Sequence, residues 1–113
     1  MIARRETLLW AAQRATAVVL AFCVLVHLAT IIYAVRAGLS AGAILGRTHG
    51  SFLWGTFYGV FVIAVAIHAA LGMRVIAAEW LQMKGAAAEL VVGAFGALLA
   101  VMGLRAVVAV VAA

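Results

Sequence analysis

Residues 59–73 read GVFVIAVAIHAALGM, and residues 21–35 read AFCVLVHLATIIYAV. Each stretch is almost purely apolar, yet each carries a histidine, His68 in the first and His27 in the second. Continued to the nearest charged residues on either side, both runs reach the ~20 residues with which a helix crosses a bilayer. Backbone in lipid must satisfy its own hydrogen bonds, so such runs are helices. A histidine at membrane depth is costly, and its presence there is a functional hypothesis by default.

Composition agrees with the membrane reading. Of 113 residues, 70% are hydrophobic and 10% charged, with no proline. That leaves too little charge to cover a soluble domain of this size. The net charge of +5 is read as juxtamembrane charge. No basic cluster interleaved with aromatics marks a nucleic-acid partner. Cys23 is the single cysteine, which excludes an intrachain disulfide, an iron–sulfur site and a CxxCH haem attachment; it reads as a small packing residue. Arg4 and Arg5 before an apolar run resemble the start of a signal peptide. The run continues to about Val35, too long for a signal h-region, so it reads as a retained helix.

The chain is therefore expected to be a single all-α integral membrane domain, residues 1–113, with three transmembrane helices. They cover about residues 7–36, 51–83 and 87–111. Gly38, Ser40, Gly42, Gly46, Arg47 and Thr48 mark residues 37–50 as a short external loop. Lys84 and Gly85 make the second turn. Arg4, Arg5, Arg14, Arg74 and Lys84 lie at one side of the membrane, Arg36 and Arg47 at the other. The excess of basic residues places the N-terminus in the cytoplasm. Trp10 and Trp80 suit the inner aromatic belt, Tyr33 and Trp54 the outer. Gly93, Gly96 and Gly103 in helix three suit close helix packing. Arg105, in the same helix, either snorkels outward or meets a buried anion.

Imidazole is the commonest protein ligand of haem iron. The bland alternative is a histidine hydrogen-bonded between helices. Two histidines, on two helices, favour ligation. At 100° per residue, Gln13, Thr16, Leu20, Cys23 and His27 share one stripe of helix one. On helix two Phe61, Ala64, His68, Gly72, Val75 and Glu79 share another. Gly72, one turn from His68, leaves room for a flat macrocycle or serves helix packing. Helix one places His27 toward the outer side, and helix two, running back, places His68 toward the cytoplasmic side. The offset is roughly eight residues, or ~12 Å. His27 and His68 are therefore expected to bind two different haems of the b type, each completed by a histidine from a second three-helix chain. An identical copy related by a two-fold axis and a similar sibling both fit, and one haem shared between chains stays open. His49, in the loop, reads as solvated or interfacial, the alternative being a contact to a propionate or a quinone.

Three motifs resemble a family. His68-Ala-Ala-Leu-Gly72-Met-Arg74 is similar to the HxxxGxR signature in the second helix of the cytochrome b membrane anchors of succinate dehydrogenase and fumarate reductase. Gln13-Arg14-Ala-Thr16 resembles the polar pair, usually His-Arg, that opens the family's first helix near the quinone site. Val26-His27-Leu28 resembles the late histidine of dihaem anchors. The resemblance covers about residues 7–82. It implies His68 as ligand of an inner haem and His27 of an outer one. Arg14 and Arg74 are candidates for the propionates, and Gln13, Arg14 and Thr16 for the quinone. Glu79 is either a proton carrier for the quinone or an interfacial carboxylate. An iron–sulfur subunit and a flavoprotein subunit would dock on the cytoplasmic face of a bacterial inner membrane, and electrons would pass between them and quinone. Two other classes stay open on sequence: a non-redox assembly or accessory protein, and the cytochrome b subunit of a different dehydrogenase.

Overall fold

The computed structural model describes residues 1–112. Four helices follow in chain order: α1 (Ile2–Ala37), α2 (Ala41–Thr48), α3 (Phe52–Trp80) and α4 (Ala86–Val111). Among the described residues there is no strand. Three of the helices, α1, α3 and α4, are long and apolar enough to cross a membrane. The bundle is 49 Å long, so its ends reach beyond the ~30 Å hydrocarbon core.

α3 is the central element, packed on one side by α4 and on the other by α1. The buried apolar residues are Cys23, Ala64, Ala66, Ala77, Ala88 and Val92. All but Val92 are small. Lipid gives helices no hydrophobic reason to associate, so they gain by bringing backbones close, which small side chains allow. α4 shows this best. A Cβ on Gly96 would sit 3.0 Å from Ala70 Cβ and 3.5 Å from the Ala66 carbonyl oxygen. The large aliphatic and aromatic side chains point outward instead: Phe22, Leu25, Val60, Val75, Leu98 and Val101 are exposed, as lipid-facing residues should be.

Three differences from the sequence expectation have local causes. The segment taken as a loop contains α2. Ser40 caps it, its Oγ accepting the Ala43 N–H at 3.1 Å, a standard start for a helix. α1 begins at Ile2, about five residues earlier than expected, because Arg4, Arg5 and Glu6 are good helix formers outside lipid. α3 stops at Trp80 and not at Met83. Gln82 turns into left-handed backbone, φ 54°, and the Leu81 and Met83 amides both donate to the Ala77 carbonyl.

α2 ties the far end of the bundle together. The last carbonyls of a helix have no partner within it. Here the Thr48 hydroxyl donates to the Val110 carbonyl at 2.7 Å and the Gly50 N–H to that of Val111 at 2.7 Å. Arg47 Nη2 donates to the Gly38 carbonyl at 3.1 Å, closing the turn between α1 and α2. At the opposite end, Arg74 pairs with Glu6 at 3.0 Å and Glu89 at 3.1 Å, and Arg5 with Glu89 at 3.1 Å. That cluster joins all three long helices where they leave the apolar zone.

Candidate functional site: the α1–α3 seam

The two stripes read from the sequence meet each other from Gln13 to His27 on α1 and from Phe61 to Gly72 on α3, whereas Val75 and Glu79 of the α3 stripe are exposed. Cys23 of the α1 stripe is 2% exposed, and Ala64 of the α3 stripe is buried. Within this seam His68 Nδ1 lies 3.1 Å from Thr16 Oγ1. His27 Nδ1 lies 3.3 Å from the Tyr58 hydroxyl. Both histidines are half-buried. Neither Nε2 is bonded to a side chain or backbone group among the described residues, and neither is sealed from the surface of the chain.

These pairings also fix relative depth. α1 and α3 run antiparallel, and Thr16 marks the level of His68 on α1. His27 lies about eleven residues further along α1, or ~16 Å at 1.5 Å per residue. The two imidazoles therefore sit at well-separated levels of one seam, as the sequence stripes implied.

Aromatic residues surround His27. Its ring meets Tyr58 edge-on at 5.7 Å and Phe61 at 5.5 Å. Tyr58 stacks on Trp54 at 5.6 Å. Beside this cluster a cavity of about 750 Å³ opens between α1, α2 and α3. Its lining includes Thr30, Tyr33, Trp54 and Tyr58, with Arg47 as its cation. The Arg47 guanidinium lies 5.4 Å from the Tyr33 ring centre. The sequence stripes include His27 and Phe61 but not Tyr58. The signal was present: Trp54, Phe57, Tyr58 and Phe61 fall at i, i+3, i+4 and i+7, one aromatic face of a helix.

The surroundings of His68 differ. Gln13 packs over Gly72, where a Cβ would come 3.5 Å from Gln13 Nε2. Gln13 Oε1 is the one buried side-chain oxygen or nitrogen among the described residues with no hydrogen-bond partner. An unmet buried acceptor is costly and calls for a partner. Gln13 also lines a cleft of about 220 Å³ with Glu6, Leu9, Trp10, Leu71 and Arg74. Of the remaining candidates, Arg14 is exposed, its guanidinium 5.2 Å from the Trp10 ring. Arg74 is held by two carboxylates. Thr16 is bonded to His68. Glu79 and His49 are exposed, and so is Arg105.

The donor set fits haem b. Two imidazoles each keep one nitrogen free while the other is held, which is how metal-bound histidines are usually arranged. The apolar, aromatic cavity beside His27 falls within the size range of cofactor sites.

An all-helical chain with three spanning helices, its polar groups gathered in one seam and at the two ends, is an integral membrane protein. The chain belongs to the succinate dehydrogenase/fumarate reductase transmembrane subunit family, whose model matches residues 1–112. That bears out the resemblance drawn from His68-Ala-Ala-Leu-Gly72-Met-Arg74, and it extends the match through α4. Membership implies a membrane anchor working with the catalytic subunits of those complexes. Comparisons with curated proteins and with solved structures give no match.

Proposed function

We propose that this chain is a haem b-binding anchor that passes electrons between an iron–sulfur/flavoprotein succinate dehydrogenase or fumarate reductase and membrane quinone. The observation that carries the reading is the pair of half-buried histidines with free Nε2 atoms at two levels of one seam. Haem b supplies reversible one-electron chemistry at its iron. His68 would ligate the haem nearer the N-terminus and His27 the one nearer α2. A second three-helix chain, identical or sibling, would bring the opposing histidines. Arg47, beside the His27 cavity, joins Arg14 and Arg74 as a candidate partner for propionates.

The basic residues gathered at the N-terminal end favour a cytoplasmic N-terminus in a bacterial inner membrane. The iron–sulfur and flavoprotein subunits would dock on that face, next to the Arg5–Glu89–Arg74–Glu6 cluster. The spectrum of the purified complex, reduced minus oxidised, tests the reading. It should show about two haems per pair of three-helix chains. An assembled complex without haem would overturn it and leave a non-redox anchor.

Gln13 is the residue best placed for quinone, because its Oε1 is buried and unmet. As an acceptor Oε1 suits a quinol hydroxyl; with the amide turned over, Nε2 suits a quinone carbonyl. Gln13→Leu is expected to raise the KM for quinone on the order of 10-fold, about the worth of one hydrogen bond. The haem spectrum should stay unchanged. Steady-state kinetics against quinone concentration would read this, and an unchanged KM would remove Gln13 from the site.

A further inference from the structure

Thr16 stands out because its one proton is already spoken for. The hydroxyl donates to the Ala12 carbonyl at 2.8 Å, with the Gln13 carbonyl at 3.1 Å. Threonine in a helix commonly bonds back to the preceding turn in this way. A hydroxyl has one proton and two lone pairs. With its proton on the Ala12 carbonyl, the shortest of its three contacts, Thr16 Oγ1 is an acceptor toward His68, 3.1 Å away. In that arrangement the ring donates from Nδ1 and Nε2 carries the lone pair.

We propose that Thr16 is the positioning residue of His68: its hydroxyl, turned into an acceptor by its own helix, fixes the Nδ1–H tautomer and aims Nε2 as the ligand nitrogen. This rests on the haem reading of His68, and it moves Thr16 from the quinone set to the haem set. The chemistry needs such a group. A neutral imidazole can carry its proton on either nitrogen, and only the form with Nε2 bare can bind iron there. Holding Nδ1–H also fixes ring rotation and makes the ligand nitrogen more basic.

His27 is not held the same way. Its partner is the Tyr58 hydroxyl at 3.3 Å, which donates or accepts as the ring requires. The inner histidine is thus held by a threonine tied to its own helix, and the outer one by a phenol on the facing helix. That asymmetry makes the proposal specific to one site.

The test uses Thr16→Val and Thr16→Ser in the assembled complex. Valine keeps the shape and removes the acceptor; serine keeps the acceptor. In Thr16→Val, haem at the His68 site should pass to excess apomyoglobin about 10–100-fold faster than in wild type. Its midpoint potential should rise, because a less basic imidazole stabilises the oxidised iron less. The haem at His27 should keep its wild-type potential, and Thr16→Ser should behave as wild type. Equal haem transfer and potential in wild type and Thr16→Val would overturn the proposal. So would a serine variant that behaves like valine, since the methyl and not the hydroxyl would then matter. Histidine nitrogen NMR of the same samples separates this idea from the haem reading. If the complex carries no haem at His68, the proposed function fails. Positioning by Thr16 then stands if Nδ1 is protonated in wild type and falls if Nε2 is.

Discussion

His68→Ala should remove one haem and spare the other, and His27→Ala should do the converse. The reason is geometric. His68 is level with Thr16 on α1, and His27 is about eleven residues beyond it, ~16 Å along the axis. A single haem iron would need both imidazoles at one level, and these two lie at different levels of the seam. Each alanine variant should therefore lose about half of the haem absorbance, the two halves differing in potential. Both variants should still assemble. In His68→Ala the Thr16 hydroxyl keeps its bond to the Ala12 carbonyl, so no buried donor is orphaned. His27 is half-buried and leaves a ring-sized space already continuous with a cavity of about 750 Å³. Co-purification of the catalytic subunits checks assembly, and a redox titration reads each haem. If each variant, fully assembled, loses all haem, then a single haem joins both histidines and the two-site reading fails.

Hydropathy made the three spans legible because lipid imposes one requirement over ~20 residues at a time. It also made both candidate stripes legible, since helical periodicity alone places Cys23 between Thr16 and His27 and Ala64 between Phe61 and His68. It did not reveal that the stripes face each other. Nothing in a single sequence says which face of α1 meets which face of α3, and so the Thr16–His68 and His27–Tyr58 pairs were not visible. α2 was missed for a different reason. Its eight residues, AGAILGRT, include two glycines that weigh against a helix, while the signal in its favour was one cap, Ser40. Arg74 was legible as a conspicuous charge in the HxxxGxR pattern. Its two carboxylate partners come from α1 and α4, too far away in sequence for any local pattern to join them.

Gly96→Leu should break the bundle, whereas Gly93→Leu in the same helix should be tolerated. The two glycines sit three residues apart, yet their surroundings are opposite. A Cβ at Gly93 meets nothing within 4 Å, while one at Gly96 comes within 3.0 Å of Ala70 Cβ and 3.5 Å of the Ala66 carbonyl oxygen. Those atoms belong to the α3 backbone or lie one bond from it, so no side-chain rotation relieves the clash. A leucine would have to push α4 away from α3, and overpacking of this kind costs at least about 1–3 kcal/mol. It would also undo the close backbone contact that holds helices together in lipid. Gly103 should be intermediate. Its Cβ would come 2.5 Å and 2.9 Å from the two Val62 methyls and 3.3 Å from Val62 Cβ, and a helical valine is stiff at χ1, but alanine adds one methyl where leucine adds four carbons. Because α3 also carries His68, separation of α4 should lower haem retention together with stability. Thermal unfolding of the assembled complex in detergent, followed at the haem band, would rank the variants Gly93→Leu, Gly103→Ala and Gly96→Leu in order of increasing damage. Equal melting of Gly96→Leu and Gly93→Leu would show that the α3–α4 seam tolerates a branched side chain, and that the small residues along it serve some end other than close packing.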